Sequence, residues 1–411
     1  MPAPSTDKVR THAECRVCGG TLEDVLSLGD IAPSAFPESG EATERFPLDL
    51  TVCSDCGLAQ LRHTLNLDQS FRQYWYKSGL NLTMVKALAD VVTCARQHVS
   101  LNDGDVALDI GCNDGTLLSM LPRGVLRVGF DPALNLAESA RPHCHYFIND
   151  FFESGKYPAA LPLAKLITTI AMFYDLEDPR SFVADIDSVL HPNGVWVVQM
   201  MDFESMLTQR AFDNICFEHL IYYTLADLRN LIKPFGLEVF HVSHNLTNGG
   251  SLRAMIGYKG QHPVSPYAGV SMLRDDKRQN LRDFVASIEH TRTALRGFIT
   301  EQVANGKTVY AMGASTKGNT ILQYFGLDHT LIHRAAEVNR DKWGLRTVAT
   351  GIPIESELSC LEDRPDFFLV LPWHFIEDFI RRNQAYLNQG GAFIVPLPQP
   401  RVIDREGVTY L

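Results

Sequence analysis

Positive charge is in short supply along this chain: 37 Lys and Arg stand against 48 Asp and Glu, a formal net charge of −11. A nucleic-acid binder needs a basic face to neutralise phosphates, so that class is disfavoured. A few local Arg and Lys residues can still hold a diphosphate within an acidic protein. Long apolar runs are missing too. No segment approaches the ~20 consecutive apolar residues of a membrane-spanning helix, and Met1 to Arg10 is polar, without the apolar stretch of a secretory signal. The expectation is a cytoplasmic protein that engages neither membrane nor nucleic acid. Internal repeats and low-complexity tracts are absent. What remains is an ordinary globular composition, 45% apolar and 21% charged. At 411 residues the chain is too long for one core, and roughly two or three domains are expected.

Nine cysteines are a poor disulfide framework for a chain of this size. Four of them form two tight pairs, Cys15-x-x-Cys18 and Cys53-x-x-Cys56, each followed by a glycine (Gly19, Gly57). Two such knuckles supply the four thiolates of a tetrahedral structural zinc site, with no position left for a catalytic water. The bland alternative is four incidental thiols or a redox pair, and two knuckles in one short segment argue against it.

From Val106 to about residue 240, short apolar runs alternate with helical patterns, as in a parallel sheet covered by helices. Strands are expected at Val106–Ile110, Leu126–Phe130, Leu166–Ala171 and Val195–Gln199. The first leads into Asp109-Ile110-Gly111-Cys112-Asn113-Asp114-Gly115, a tight turn that opens a helix and lets a ligand approach the backbone. It lacks the G-x-G-x-x-G spacing of a pyrophosphate dinucleotide site. The second strand ends at Asp131, where a carboxylate can accept both ribose hydroxyl protons. A further presumed strand, between the second and Leu166, ends at Asn149-Asp150-Phe151, an acid for the adenine amino group and an aromatic for its ring. Each acid alone is more often a helix cap; three in register after successive strands are hard to explain as caps. The pattern resembles motif I of class I methyltransferases, whose cofactor is S-adenosylmethionine.

Downstream, Phe217-Glu218-His219-Leu220-Ile221-Tyr222-Tyr223 sets an acid and an imidazole among aromatics, a plausible acid/base station or simply a His packed under a helix. A long helix is expected over Leu273 to Asn305. A second α/β block follows, with strands at Thr308–Met312, His333–Glu337, Phe367–Leu371 and Ala392–Val395. Its Gly313-Ala314-Ser315-Thr316-Lys317 turn offers amides, hydroxyls and a lysine at a helix start, either an anion site or a tight crossover turn. It does not have P-loop spacing.

Taken together, the two knuckles, Tyr76-Lys77-Ser78-Gly79, Asp109 to Gly115, Phe212 to Ile215 with Glu218-His219, Asn248-Gly249-Gly250-Ser251 and Gly313 to Lys317 resemble the sugar C-methyltransferases that build branched deoxysugars, such as the TDP-sugar 3-C-methyltransferases of tetronitrose biosynthesis. The resemblance runs along nearly the whole chain. It implies an α/β protein with a zinc-binding N-terminal domain (1–75), a class I methyltransferase core (76–240) and a second Rossmann-like substrate domain with its linking helix (241–411). It also implies S-adenosylmethionine as cofactor, structural zinc on Cys15, Cys18, Cys53 and Cys56, and a nucleotide-linked keto-deoxysugar as small-molecule substrate, in a monomer or homodimer. By the same resemblance His219 is the general base, with Glu218 and Tyr76 in catalysis. Asp109, Gly111, Asn113, Gly115, Asp131, Asp150, Phe151 and Ser78 hold the cofactor, and Asp175, Tyr222, Asn248 and Lys317 face the substrate. Two positions depart from the family: Asp175 stands where a histidine is expected and Cys216 where a tyrosine is. The second reading is methylation of oxygen, nitrogen or carbon on another small metabolite; a non-enzymatic cofactor-binding scaffold ranks behind both.

Overall fold

The computed structural model describes residues 8–39, 43–66, 71–245, 247–266 and 277–411. The side chain of Asn248 and the opening residues of the helix expected from Leu273 lie outside the described residues. No helix among those described is long and apolar enough to cross a membrane.

The N-terminal module is small and antiparallel. Strands β1 (Val9–Thr11) and β5 (His63–Leu65) pair with each other, while β2 (Leu22–Ile31), β3 (Phe46–Cys53) and β4 (Ala59–Leu61) form a sheet. A two-residue strand from the core, β11 (Ile221–Tyr222), completes that sheet beside β4. This pairing and the Leu61 N–H donating to the Leu220 carbonyl (2.9 Å) join the cysteine-bearing module to the chain just after Glu218-His219.

The core strands are β6 (Val106–Ile110), β7 (Leu126–Phe130), β8 (Tyr146–Ile148), β9 (Ala164–Ile170), β10 (Leu190–Met201), β12 (Leu237–Asn245) and β13 (Ser251–Tyr258). They lie in the order β12-β13-β10-β9-β6-β7-β8, parallel except for β13, which runs against both neighbours. Every residue of β6 is buried, as a parallel strand covered on both faces requires. The order reverses at β6 and β9, so the ligand crevice of such a sheet opens at their carboxyl ends. The expected boundary at 240/241 falls inside β12: the chain returns to the core sheet through β12 and β13 before leaving for the helix Lys277–Ala304. An antiparallel hairpin added at a sheet edge carries no helical pattern to mark it as part of the preceding unit.

The C-terminal sheet contains β14 (Val309–Met312), β15 (Ala335–Glu337), β16 (Ile354–Ser356), β17 (Phe367–Val370), β18 (Ala392–Val395), β19 (Arg401–Asp404) and β20 (Gly407–Tyr410). Its order, β16-β15-β14-β17-β18-β19-β20, is doubly wound through β18 and ends in an antiparallel hairpin. The helix Thr316–Phe325 starts at the switch between β14 and β17, capped by the Ser315 hydroxyl, which accepts the Gly318 N–H. Gln323 on that helix makes two hydrogen bonds to the backbone of Ala32 (2.9 and 3.0 Å), so the cysteine module also grips the C-terminal domain.

Candidate active site

The three strand tips converge as expected. Gly111 and Gly115 adopt φ of +72° and +78°, the left-handed region that glycine enters without strain. A Cβ on Gly111 would meet the Met172 side chain at 3.1 Å, and one on Gly115 would meet His143 at 2.9 Å. Asp109 is buried and accepts the Thr168 hydroxyl at 2.6 Å; burial, opposed by that hydrogen bond, pushes its carboxyl up to about 7. Asp131 accepts the Asn113 N–H (2.7 Å) and the Ala133 N–H (2.9 Å), one on each oxygen. Burial raises it to about 6, and each oxygen keeps a lone pair for a ribose hydroxyl. Asp150 pairs with Lys156 (2.9 Å) and Arg72 (3.2 Å), which hold its carboxylate below the ordinary range. Phe151 lies under the Arg72 guanidinium, 5.6 Å from the ring centre, and edge-on to Phe71. These acids, glycines and aromatics fit a nucleoside cofactor, whose charged sulfonium and amino-acid end would lie over the Gly111 turn.

The segment 71–79 is laced across these tips. Asn113 accepts the Ser78 N–H (2.9 Å) and donates to the Tyr76 carbonyl (3.0 Å), and Asp114 accepts the Gly79 N–H (2.7 Å). Lys77 pairs with Asp341 of the C-terminal domain at 2.8 Å. The Tyr76 side chain is 42% exposed, its phenol raised by desolvation and then by Asp114. The Tyr74 phenol senses the acids of the cleft: desolvation and then Asp175 and Glu218 raise it.

Between the core and the C-terminal domain, His219 packs edge-on against Tyr174, with ring centres 4.5 Å apart. Its Nδ1–H donates to the Asn214 carbonyl at 2.8 Å, which leaves Nε2 as the lone-pair nitrogen. Burial, then the Lys317 charge, press its pKa down to about 3, so the imidazole is neutral at physiological pH. Lys317 donates to the Asn214 side-chain oxygen (3.1 Å) and lies 3.8 Å from Asp213. Asp213 is fully buried and also accepts the Trp373 indole N–H at 3.0 Å. Asp175 and Glu218 are both raised, by burial first; for Asp175 the Glu218 charge adds to it. Tyr222 is fully buried, and its hydroxyl donates to the same Asn214 carbonyl at 3.4 Å. Cys216 is buried beside it.

Of the nine buried polar side-chain atoms without a hydrogen-bond partner among the described residues, four belong to Asp175 (Oδ1), Asp213 (Oδ1), Glu218 (Oε2) and His374 (Nδ1). Burying such atoms unpaired is costly, which makes them the mark of a site completed by a ligand. Sequence reasoning left the roles of Asn214, Asp213, Tyr174 and His374 unassigned. Asn214 meets His219 through its main-chain carbonyl, while Asp213 and Tyr174 meet Trp373 and His219, partners distant in sequence.

In the N-terminal module, the sulfurs of Cys15, Cys18, Cys53 and Cys56 lie within 4.8 Å of one another. The two knuckles have the same fold: the N–H groups of Gly19 and Gly57 donate to the Cys15 and Cys53 carbonyls (2.9 and 3.0 Å), with φ of +74° and +76°. Four converging thiols on turns of this kind fit a structural zinc ion.

Three family descriptions match the chain in the order of these modules: a zinc binding domain over residues 15–71, a methyltransferase domain over 84–242 and a C-methyltransferase C-terminal domain over 246–398. The C-methyltransferase NovU of Streptomyces niveus is 32% identical over 416 residues, spanning 97% of this chain and 99% of that protein. Among solved structures, the N-methyltransferase NodS of Bradyrhizobium japonicum WM9 superposes with a TM-score of 0.33 at 13% identity, over 43% of this chain and 95% of its own. An S-adenosylmethionine-dependent methyltransferase of Clostridium acetobutylicum ATCC 824 gives 0.34 at 12% identity, over 43% and 92%.

Proposed function

The chain belongs to the C-methyltransferase family, with S-adenosylmethionine as cofactor and zinc in its N-terminal domain, and from that premise we propose that it methylates the carbon next to the ketone of a nucleotide-linked keto-deoxysugar. The observation that carries this reading is the neutral His219, its Nδ1–H held by Asn214, beside unpartnered polar atoms of Asp175, Glu218 and His374.

A carbon next to a ketone becomes nucleophilic only after losing a proton. His219 Nε2 takes that proton, and the imidazolium so formed keeps its Nδ1–H on the Asn214 carbonyl. Negative charge then gathers on the ketone oxygen. Asp175, kept protonated by burial and Glu218, donates a hydrogen bond to that oxygen, a role that an acid with a raised pKa can fill at neutral pH. This accounts for an acid standing where the family has a histidine. Lys317 and the start of the helix Thr316–Phe325 attract the anionic part of the substrate. The cofactor supplies an electrophilic methyl group on its sulfonium; the chain's residues at the strand tips hold it and exclude water. Transfer from a cation to an enolate cancels charge, so an aligned, dry cleft lowers the barrier without a catalytic metal.

The test is to incubate the protein with methyl-labelled S-adenosylmethionine and TDP- or GDP-linked keto-deoxysugars, and to locate the label by NMR. A new carbon–carbon bond next to the ketone supports the reading. Label on oxygen or nitrogen of another metabolite, with the keto-sugars left untouched, overturns it.

A further inference from the structure

A second group of metal-ligating side chains lies on the core's far edge, away from the Cys₄ cluster. Cys94 is on the helix Leu82–Arg96, and His98 lies just beyond its end, in a turn where the His98 N–H still donates to the Ala95 carbonyl at 2.9 Å. A spacing of four residues sets both side chains on one helical face. Opposite them is His241 on β12. Its ring centre is 4.6 Å from that of His98, and the ligand atoms of Cys94, His98 and His241 all lie within 4.8 Å of one another. All three are half-buried.

The strand is irregular where it presents this ligand. β12 pairs with β13 in register until Val239↔Ile256, and the next partner of Met255 is His241, so Phe240 is the extra residue of a bulge. A bulge re-aims the side chains next to it. Here both Phe240 and His241 reach His98, with ring centres at 5.5 and 4.6 Å, whereas regular alternation would send neighbouring residues to opposite faces. The third histidine nearby, His262, is stacked on Phe240 at 4.4 Å, and its ring nitrogen meets the Gly194 carbonyl at 3.2 Å.

We propose that Cys94, His98 and His241 form a second zinc site, one thiolate and two imidazoles with a fourth position open to water. One sulfur and two ring nitrogens suit zinc, and ligand atoms around a tetrahedral ion with bonds of about 2.0–2.3 Å sit roughly 3.3–3.8 Å apart. Closing the present spacing takes small side-chain rotations. The ion fastens the end of the helix Leu82–Arg96 to the edge of the core sheet, while Arg253 on β13 already pairs with Asp90 of that helix at 2.8 Å.

The experiment is zinc stoichiometry of the full chain, equilibrated with zinc alone at micromolar free concentration and freed of excess ion, together with peptide-level alkylation of Cys94. About two ions per chain are expected, with Cys94 alkylation slowed at least tenfold by zinc. Cys94→Ala, His98→Ala and His241→Ala each lower the count to about one, the ion retained by the Cys₄ cluster marking a folded chain, while His262→Ala keeps two. A wild-type chain that holds one ion and alkylates Cys94 equally fast with and without zinc overturns the proposal. So does a set of variants that all retain two.

Discussion

The Nδ1–H of His219 is donated to the main-chain carbonyl of Asn214 at 2.8 Å. A carbonyl only accepts, so this contact selects the imidazole tautomer that carries its lone pair on Nε2. The same carbonyl receives the Tyr222 hydroxyl, and the Asn214 side chain receives Lys317. One short segment thus orients the imidazole of His219 and links it to Lys317.

Asp175 is expected to act as a donor. Asp175→Asn keeps an N–H for the developing enolate and should retain at least a tenth of wild-type kcat. Asp175→Ala removes the donor and should lose roughly 100-fold or more. Steady-state kinetics on the methylated keto-sugar compare the two, and equal losses would remove the hydrogen-bonding role.

Lys317→Met is expected to act in two ways. KM for the nucleotide-linked substrate should rise about tenfold or more as the local positive charge is lost. The Lys317 charge also depresses the His219 pKa, so without it the acid limb of kcat/KM moves to higher pH. An unchanged limb would separate the lysine from the base.

Zinc is remote from the chemistry, but its module reaches the base through β4 and β11. Chelation, or Cys18→Ser, should lower kcat by about 100-fold or more while the affinity for S-adenosylhomocysteine, held at the strand tips, changes by less than about threefold. Calorimetry and turnover on the same sample check this split. Loss of both together would point to global unfolding.

Asp109 gives a pH-dependent stability change. Its carboxyl is raised from 3.8 to about 7 by burial, so the folded state binds the proton more tightly than the unfolded chain. Its contribution to stability is present below the unfolded pKa and is lost as pH rises through about 7. Asp109→Asn should therefore melt higher than wild type at pH near 8, with the advantage vanishing toward pH near 4, and should bind S-adenosylhomocysteine more weakly. A constant difference in melting temperature across that range would contradict the assignment.

Much of this was legible in the sequence because the signals are local. Each cysteine knuckle is closed by its own glycine, and Gly111, Gly115 and Asp131 sit at strand-to-helix turns whose geometry is set within a few residues. The contacts that shape the cleft are not local: Lys317 meets Asn214, Trp373 meets Asp213, and Gln323 meets Ala32 only after the three modules dock. Asp150 looked available for adenine because Arg72 approaches it from a different segment of the chain. Tyr222 is expected from the resemblance to face the substrate; its strand pairs with β4 and its side chain is buried. The pairing of β12 and β13 with the core sheet was not legible either, because edge strands of a mixed sheet carry the same alternation in either domain.

The most direct measurement is hydrogen exchange at the carbon next to the ketone of a TDP- or GDP-linked keto-deoxysugar. It is followed by NMR in D₂O with S-adenosylhomocysteine present, so that the base works while no methyl can transfer. Wild-type protein should exchange that hydrogen, and His219→Ala should slow the exchange by roughly 10²–10⁴-fold while still binding S-adenosylhomocysteine. Exchange that proceeds undiminished in His219→Ala would contradict the imidazole as the base that generates the nucleophile.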